Sequence, residues 1–339
     1  MPSNTAAWLT AAKSNPLEVK TATYTSPGDH EILVKNGAVA VNPIDWKTQD
    51  YAFFPLIYPT ILGQDVAGTV VEVGSAVSRF RKGDRVLGHA LSLFTKKPSD
   101  GGFQEYTIVT ENLASQIPGA LSFENAAVLP LGLSTAAAGL FQKEYLALQH
   151  PSLDPKPNGQ TLLVWGGASS VGSNAIQLAV AAGYEVLTTA SPKNFDYTKK
   201  LGASQVFDYH SKTVVADLVQ ALKGKTVVGV LDAVGANGAA QNSLDILAQG
   251  EGSKFVATVL KPPEHIPAGT SAKFIQAAAI KDNEVSKAVY EDFLPPALAD
   301  GKYVAAPEPY VVGKGLENVQ AGFNIQKKGV SAKKVVITL

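Results

Sequence analysis

From about residue 160 onward, short apolar, β-favouring runs recur along the chain, each followed by a stretch with helical periodicity. The first run, Leu162-Leu163-Val164-Trp165, breaks into Gly166-Gly167-Ala168-Ser169-Ser170, and Val171-Gly172 then open an amphipathic helix to about Gly183. Further strands are predicted over residues 185–190, 205–209, 227–234 and 254–259, with one helix ending near 199–203 and another over 242–247. Strands alternating with helices predict an α/β fold built on a parallel, doubly wound sheet.

The first third has a different texture. Residues 31–41 read as a strand that ends at Asn42-Pro43-Ile44-Asp45-Trp46-Lys47, where the proline removes a ladder donor and turns the chain. Over 59–74, 80–88 and 101–109, glycines punctuate β-branched residues, the pattern of a small antiparallel barrel with tight corners. Residues 129–140 start a crossover toward the second region, with Pro130 near a helix start. The proline-rich stretch 149–159 predicts an exposed loop. After residue 260 the sheet pattern is interrupted, an apolar run resumes over 272–280, and 286–299 is helical apart from Pro295-Pro296. A lysine-rich turn and a last strand occupy 327–337.

The strand, small-residue turn and helix at 162–183 form a seat for a pyrophosphate: small side chains let a ligand approach the backbone, and a helix start offers N–H groups and the positive end of its dipole. Ala168, Ser169, Ser170, Val171 and Gly172 are the candidate contacts, with Ser169 standing where the usual dinucleotide fingerprint has its middle glycine. About twenty residues further on, enzymes that use NAD place an acid on the ribose 2′-hydroxyl. This chain instead has Ser191-Pro192-Lys193-Asn194. A serine hydroxyl and a lysine charge suit a 2′-phosphate, so NADP(H) is the expected cofactor. Glu185 comes too early to take the acidic role.

Composition excludes several classes. Lysine plus arginine and aspartate plus glutamate number 29 each, so no global field draws in nucleic acid or an anionic membrane. The chain has no cysteine, which removes thiolate nucleophiles and cysteine-containing zinc sites. Its five histidines are scattered without metal-ligand spacing, and no metal is expected. Neither a signal-peptide pattern nor a long apolar span is present, and the expected location is the cytoplasm.

Six ordered motifs carry a family resemblance: NPIDWK at 42–47, ILGQDVAGTVVEVG at 61–74, FRKGDRV at 80–86, GGFQEY at 101–106, LPLGLSTAA at 129–137 and WGGASSVG at 165–172. On these the chain resembles the medium-chain dehydrogenase/reductase superfamily, in its zinc-independent, quinone-oxidoreductase-like branch, and within that branch the fungal trans-enoyl reductases. The resemblance implies a GroES-like β-barrel catalytic domain (1–128 and 288–339), a Rossmann NADP-binding domain (129–287) and a cleft between them. It also implies cofactor contacts from Ile44, Asp45, Trp46 and Lys47, from Tyr209 and from Val259, Leu260, Val330 and Ser331. Lys47 and Thr135 are the implied catalytic residues; a solvated lysine and a threonine that merely packs are the plain readings beside them. Where zinc-dependent members carry a cysteine and a histidine ligand, this chain has Asn42 and Gln64.

The expected activity is NADPH-dependent reduction of a carbon–carbon double bond conjugated to a carbonyl, in an enone or enoyl group, or of a quinone. A non-enzymatic NADP(H)-binding sensor and an alcohol or carbonyl dehydrogenase are the alternatives. Tyr51, Tyr106 and Tyr145 are proton-donor candidates by chemistry alone. The fungal resemblance implies a polyketide synthase as partner, and a monomer or homodimer is expected.

Overall fold

The computed structural model describes residues 3–339; Met1 and Pro2, included in the expected first domain, lie outside the described residues. Strands β1 (Asn4–Leu9), β2 (Glu18–Ala22) and β3 (Glu31–Val41) lead into helix α1 (Pro43–Tyr51). Strands β4 (Thr60–Ile61), β5 (Asp65–Val73), β6 (Arg85–His89), β7 (Tyr106–Thr110) and β8 (Ala114–Gln116) follow. Helix α2 (Pro130–Phe141) precedes β9 (Gln160–Trp165), α3 (Ser170–Ala181), β10 (Glu185–Ala190), α4 (Phe195–Lys200), β11 (Gln205–Asp208), α5 (Val214–Leu222), β12 (Thr226–Asp232), α6 (Ala239–Gln249), β13 (Phe255–Thr258) and β14 (Ser271–Phe274). The chain closes with β15 (Glu308–Lys314), α7 (Val319–Lys328) and β16 (Lys333–Thr338).

Two compact units result. One holds the chain up to Leu131 together with Leu298–Gly301 and Ala305–Leu339; the other holds Gly132–Ala297 and Lys302–Val304. In the first, the sheet order is β15-β16-β3-β5-β6-β8, with β7 also paired to β3, and β2-β1-β4 form a smaller sheet. Strand β3 is the hub, pairing antiparallel with β16, β5 and β7. A core of inward-facing residues that includes Val34, Val39, Val66, Val86, Phe103, Phe323 and Ile337 fills this GroES-like unit.

The second unit is a Rossmann sheet in the order β11-β10-β9-β12-β13-β14, with every pairing parallel. Strand order reverses between β9 and β12, and in such sheets ligands bind at the carboxyl ends of the strands beside that reversal. The segment that ends there on β9 is the glycine turn.

Pro295 and Pro296, expected to interrupt the helix over 286–299, instead fall in the first turn of a helical segment, Leu294–Ala299, where proline is tolerated, and two further elements differ from the sequence expectation. Residues 42–47 do not simply turn: they start α1, because Asn42 takes the N-cap position, Pro43 is preorganised for the first helical position, and the Asp45 carboxylate accepts the Asn42 N–H at 2.8 Å. Residues 271–274 add a sixth strand, β14, whose mostly exposed side chains leave no alternating pattern to read.

Gly172 is held to glycine by its surroundings. A Cβ there would meet the Gly166 carbonyl oxygen at 2.2 Å and the Gly167 Cα at 2.7 Å, both backbone atoms that cannot swing aside. Gly172→Ala should therefore lower the unfolding free energy by ~1–3 kcal/mol in urea titrations, the usual cost of overpacking. An unchanged midpoint would show that α3 does not pack this closely on the end of β9.

Candidate functional site

In the Rossmann unit the turn after β9 is built for a close-lying ligand. Gly166 has φ +85°, a conformation that favours glycine. Ser169, which replaces the fingerprint's middle glycine, is the N-cap of α3: its hydroxyl oxygen accepts the Gly172 N–H at 3.0 Å and its hydroxyl donates to the Gly166 carbonyl at 2.8 Å. Ala168, Ser169, Ser170 and Val171 are all partly exposed, so the start of α3 is open to a ligand while Gly172 is buried beneath it. The α3 start, with its dipole and first-turn amides, fits the pyrophosphate of a dinucleotide.

The neighbouring strand end fits the rest of that cofactor. After β10 the chain makes a short turn in which the Asn194 amide donates to the Ser191 hydroxyl at 3.1 Å, and Pro192 and Lys193 are exposed. Residues 190–195, at the end of β10, carry no carboxylate, and Asp208 of β11 lies in register with Ala190. Glu185 lies at the opposite end of that strand, where it pairs with Lys225 at 2.6 Å. Tyr209, just past β11, is 42% exposed and lies against His210, with ring centroids 4.0 Å apart. Val259 and Leu260 follow β13, where the Val259 N–H donates to the Asp232 carbonyl at 3.1 Å and the Asp232 carboxylate accepts the Val234 and Gly235 N–H groups. Burial raises the Asp232 carboxyl, and these N–H bonds oppose that.

Helix α2 passes close to the start of α3. A Cβ on Gly132 would lie 2.7 Å from the Ser170 hydroxyl and 3.0 Å from the Asn174 amide, so the two helices touch at that glycine. Thr135 lies one turn further on the same side of α2 and is 8% exposed. Beside it, the Ser134 and Tyr290 hydroxyls lie 2.6 Å apart. Tyr303 donates to the Asn174 carbonyl at 2.5 Å, and Asn174 donates to the Ser170 carbonyl at 2.8 Å. Neither Tyr290 nor Tyr303 is prominent in the sequence, because a buried tyrosine in an apolar segment reads as core.

In the GroES-like unit, α1 carries Ile44, Asp45, Trp46 and Lys47. Lys47 is half-buried with its ammonium 5.7 Å from the Trp46 ring centroid. The Trp46 indole donates to Gln326 of α7 at 2.5 Å, and Lys327 pairs with Asp50 at 2.6 Å. Asp45 is fully buried, with its carboxylate turned to the helix start rather than to solvent. Val330 and Ser331 sit in the turn between α7 and β16.

One lysine of the lysine-rich segment 327–334 is buried in β16. Lys334 is neither solvated nor directed at a ligand: it is 4% exposed, and its ammonium pairs with the Asp65 carboxylate at 2.7 Å and donates to the Asn42 side-chain carbonyl at 2.5 Å. Asn42 in turn donates to the same Asp65 oxygen at 2.7 Å, and the second Asp65 oxygen accepts the Leu131 N–H at 2.6 Å. Asn42 at the entry of α1, Asp65 of β5 and Lys334 of β16 thus form one polar cluster. The three tyrosines considered as acids have different surroundings, and the Tyr51 ring lies 6.2 Å from that of Trp46. Tyr145 donates to the Phe274 carbonyl and accepts from Gln276, Tyr106 packs edge-on against Tyr24, and Tyr51 is 60% exposed at the end of α1.

Comparison with known proteins agrees with this architecture. Residues 28–119 match the model of the alcohol dehydrogenase GroES-like domain, and residues 170–285 match that of the zinc-binding dehydrogenases. The zinc-binding alcohol dehydrogenase domain-containing protein cipB of Emericella nidulans is 54% identical over 99% of this chain and 98% of its own length. The chain belongs to the medium-chain dehydrogenase/reductase superfamily. The trans-enoyl reductase himH of Aspergillus japonicus is 44% identical, covering 99% of this chain and 97% of its own. Among solved structures, the Escherichia coli quinone oxidoreductase complexed with NADPH superposes with a TM-score of 0.73 at 23% identity over all of both chains, a likeness of fold.

The zinc in two of those descriptions does not suit the residues of this chain. Among the described residues no three histidine, cysteine, aspartate or glutamate side chains come together as a ligand set. At Asn42 and Asp65, a lysine ammonium already holds the oxygens that a cation would need. Among the described residues, too, no helix is long and apolar enough to cross a membrane.

Burial around this cluster shifts two groups in opposite directions. Desolvation pushes the Asp45 carboxyl up to about 7 from an ordinary 3.8, with the nearby Asp65 charge adding to the shift. Desolvation pushes His89 down to about 4 from 6.5. Folded Asp45 keeps its proton where the unfolded chain has released it, so its contribution to stability falls as pH rises from about 4 to about 7. For His89 the unfolded chain binds the proton first, so stability is lost as pH falls from 6.5 toward about 4. The parent curve mixes both trends, and a difference measurement separates them. Asp45→Asn keeps an acceptor oxygen, and its stability relative to the parent should climb between about pH 4 and pH 7 and then level off. A pH-independent difference in chemical unfolding would contradict the burial assigned to Asp45.

Proposed function

We propose that this protein is an NADPH-dependent reductase of carbon–carbon double bonds conjugated to a carbonyl, or of quinones, and that it works without zinc. The observation that carries the cofactor reading is the end of β10: an exposed Lys193 beside Ser191, with no acid in the position where one would repel a 2′-phosphate. The himH relative, named a trans-enoyl reductase, supports the reaction class, and the ill-fitting donor set disfavours alcohol oxidation through a metal-bound alkoxide. An enoyl chain carried by a polyketide synthase is the substrate that the fungal resemblance suggests.

Bound NADPH would supply the hydride. What remains for the protein is to orient the acceptor and to stabilise the negative charge that grows on the carbonyl oxygen as the distant carbon is reduced. We assign hydrogen-bond donation, to that oxygen or to the cofactor hydroxyls, to the Lys47 ammonium and the Thr135 hydroxyl. The cradle residues Ala168 to Gly172, with Ser191 to Asn194, Tyr209, Val259 and Leu260, would hold the dinucleotide. Ile44, Trp46, Val330 and Ser331 are assigned to its nicotinamide half.

Cofactor choice tests the first part. Lys193→Ala should weaken NADPH binding roughly ten-fold by loss of a charge-assisted contact and leave NADH nearly unchanged. Equal titration of NADPH and NADH by the parent protein would refute the assignment.

Stopped-flow reduction of an enone tests the second part. Lys47→Ala and Thr135→Ala should each lower the hydride-transfer rate, by up to ~10²–10³-fold if each removes a transition-state donor, while NADPH affinity largely survives. Rates within about two-fold of the parent would make these side chains bystanders.

A further inference from the structure

The cluster of Asn42, Asp65 and Lys334 has no place in the chemistry assigned so far, yet it is placed at the root of the helix that carries Lys47. Asn42 is the last residue before α1, and its backbone N–H and carbonyl both bond to Asp45 in the first turn. Both ends of the side-chain amide are committed elsewhere, the oxygen to the Lys334 ammonium and the nitrogen to the Asp65 carboxylate. The residue that enters α1 is thereby bolted to strands β5 and β16, five residues upstream of Lys47.

The far half of α1 is held by different means. Gln49 bonds Gln320, Trp46 bonds Gln326 and Asp50 pairs with Lys327, all on α7. The helix start is held by the Asn42 bridge together with a Gly63 N–H bond to the Asp45 carboxylate, and a rotation or slide there would carry Lys47 with it. Asparagine at this place is therefore more than a helix cap.

We propose that Asn42 is a positioning residue: clamped between Asp65 and Lys334, it fixes the start of α1 and through it the placement of the Lys47 ammonium during hydride transfer. The proposal rests on the assignment of Lys47 above. A serine at position 42 can still cap a helix but is too short to span Asp65 and Lys334, so it separates capping from clamping. A displacement on the order of 1 Å at a donor costs up to about 10²-fold in rate.

The test is a double-mutant cycle on the single-turnover rate of enone reduction by saturating NADPH, with NADPH affinity and thermal unfolding measured alongside. Asn42→Ser should lower the rate ~10-fold or more in the parent background, leave NADPH affinity unchanged, and have no further effect in a Lys47→Ala background. The charge-balanced pair Asp65→Asn with Lys334→Met, which cuts the same bridge from the other side, should reproduce both results. A parent-like rate in Asn42→Ser, or the same fold-loss with and without Lys47, overturns the proposal. If Lys47→Ala alone proceeds at the parent rate, the assignment of Lys47 fails first and the positioning role falls with it.

Discussion

The ion pair between Asp65 and Lys334 is the interaction on which the GroES-like unit depends. Moving two charges out of water costs several kcal/mol for each, and attraction in a poorly polarisable interior offsets this only if every remaining lone pair and proton is used. Here the carboxylate accepts from the Lys334 ammonium, the Asn42 amide and the Leu131 N–H. The lysine comes from the final strand, so the pair ties the end of the chain to β5 and to the entry of α1. Such a pair adds little net stability over well-packed apolar residues, but loss of either partner would leave a bare charge in the core. Its value lies in orientation.

The two units offer different chemistry. A parallel sheet ends in backbone N–H groups and helix dipoles, which suit phosphates without requiring charged side chains. The turn after β9 uses this with one substitution, in which a serine caps α3 and tightens the turn by bonding Gly166. The barrel unit brings β-strands edge to edge around β3, and on that rigid base a nine-residue helix carries the lysine assigned to the reaction. Functional groups mounted on elements held from both ends lose less orientation than those on loops.

Most of the Rossmann unit was legible because its signals are local. A strand, a small-residue turn and a helix with apolar periodicity follow one another within about twenty residues, and the missing acid after β10 is readable residue by residue. Helix α1 was legible in principle, since Asn-Pro-x-Asp is a cap, a preorganised first position and an acid in the first turn, but Pro43 after a strand reads more readily as a turn. The buried cluster was not legible. Lys334 is 292 residues from Asn42, and a lysine among three others in a polar turn carries the signature of a solvated side chain. Only the pairing of β16 with β3 sets it inside, and that register is a tertiary property.

The most direct test of the central claim is isotopic. Protein dialysed against a strong chelator is given NADPH deuterated at the transferable position together with an α,β-unsaturated thioester or enone, and the product is examined by mass spectrometry and NMR. A metal-free reductase of this class would deliver one deuterium to the carbon β to the carbonyl, at a rate unchanged by added zinc. Absence of deuterium from that carbon, or turnover that appears only when zinc is restored, would contradict the account.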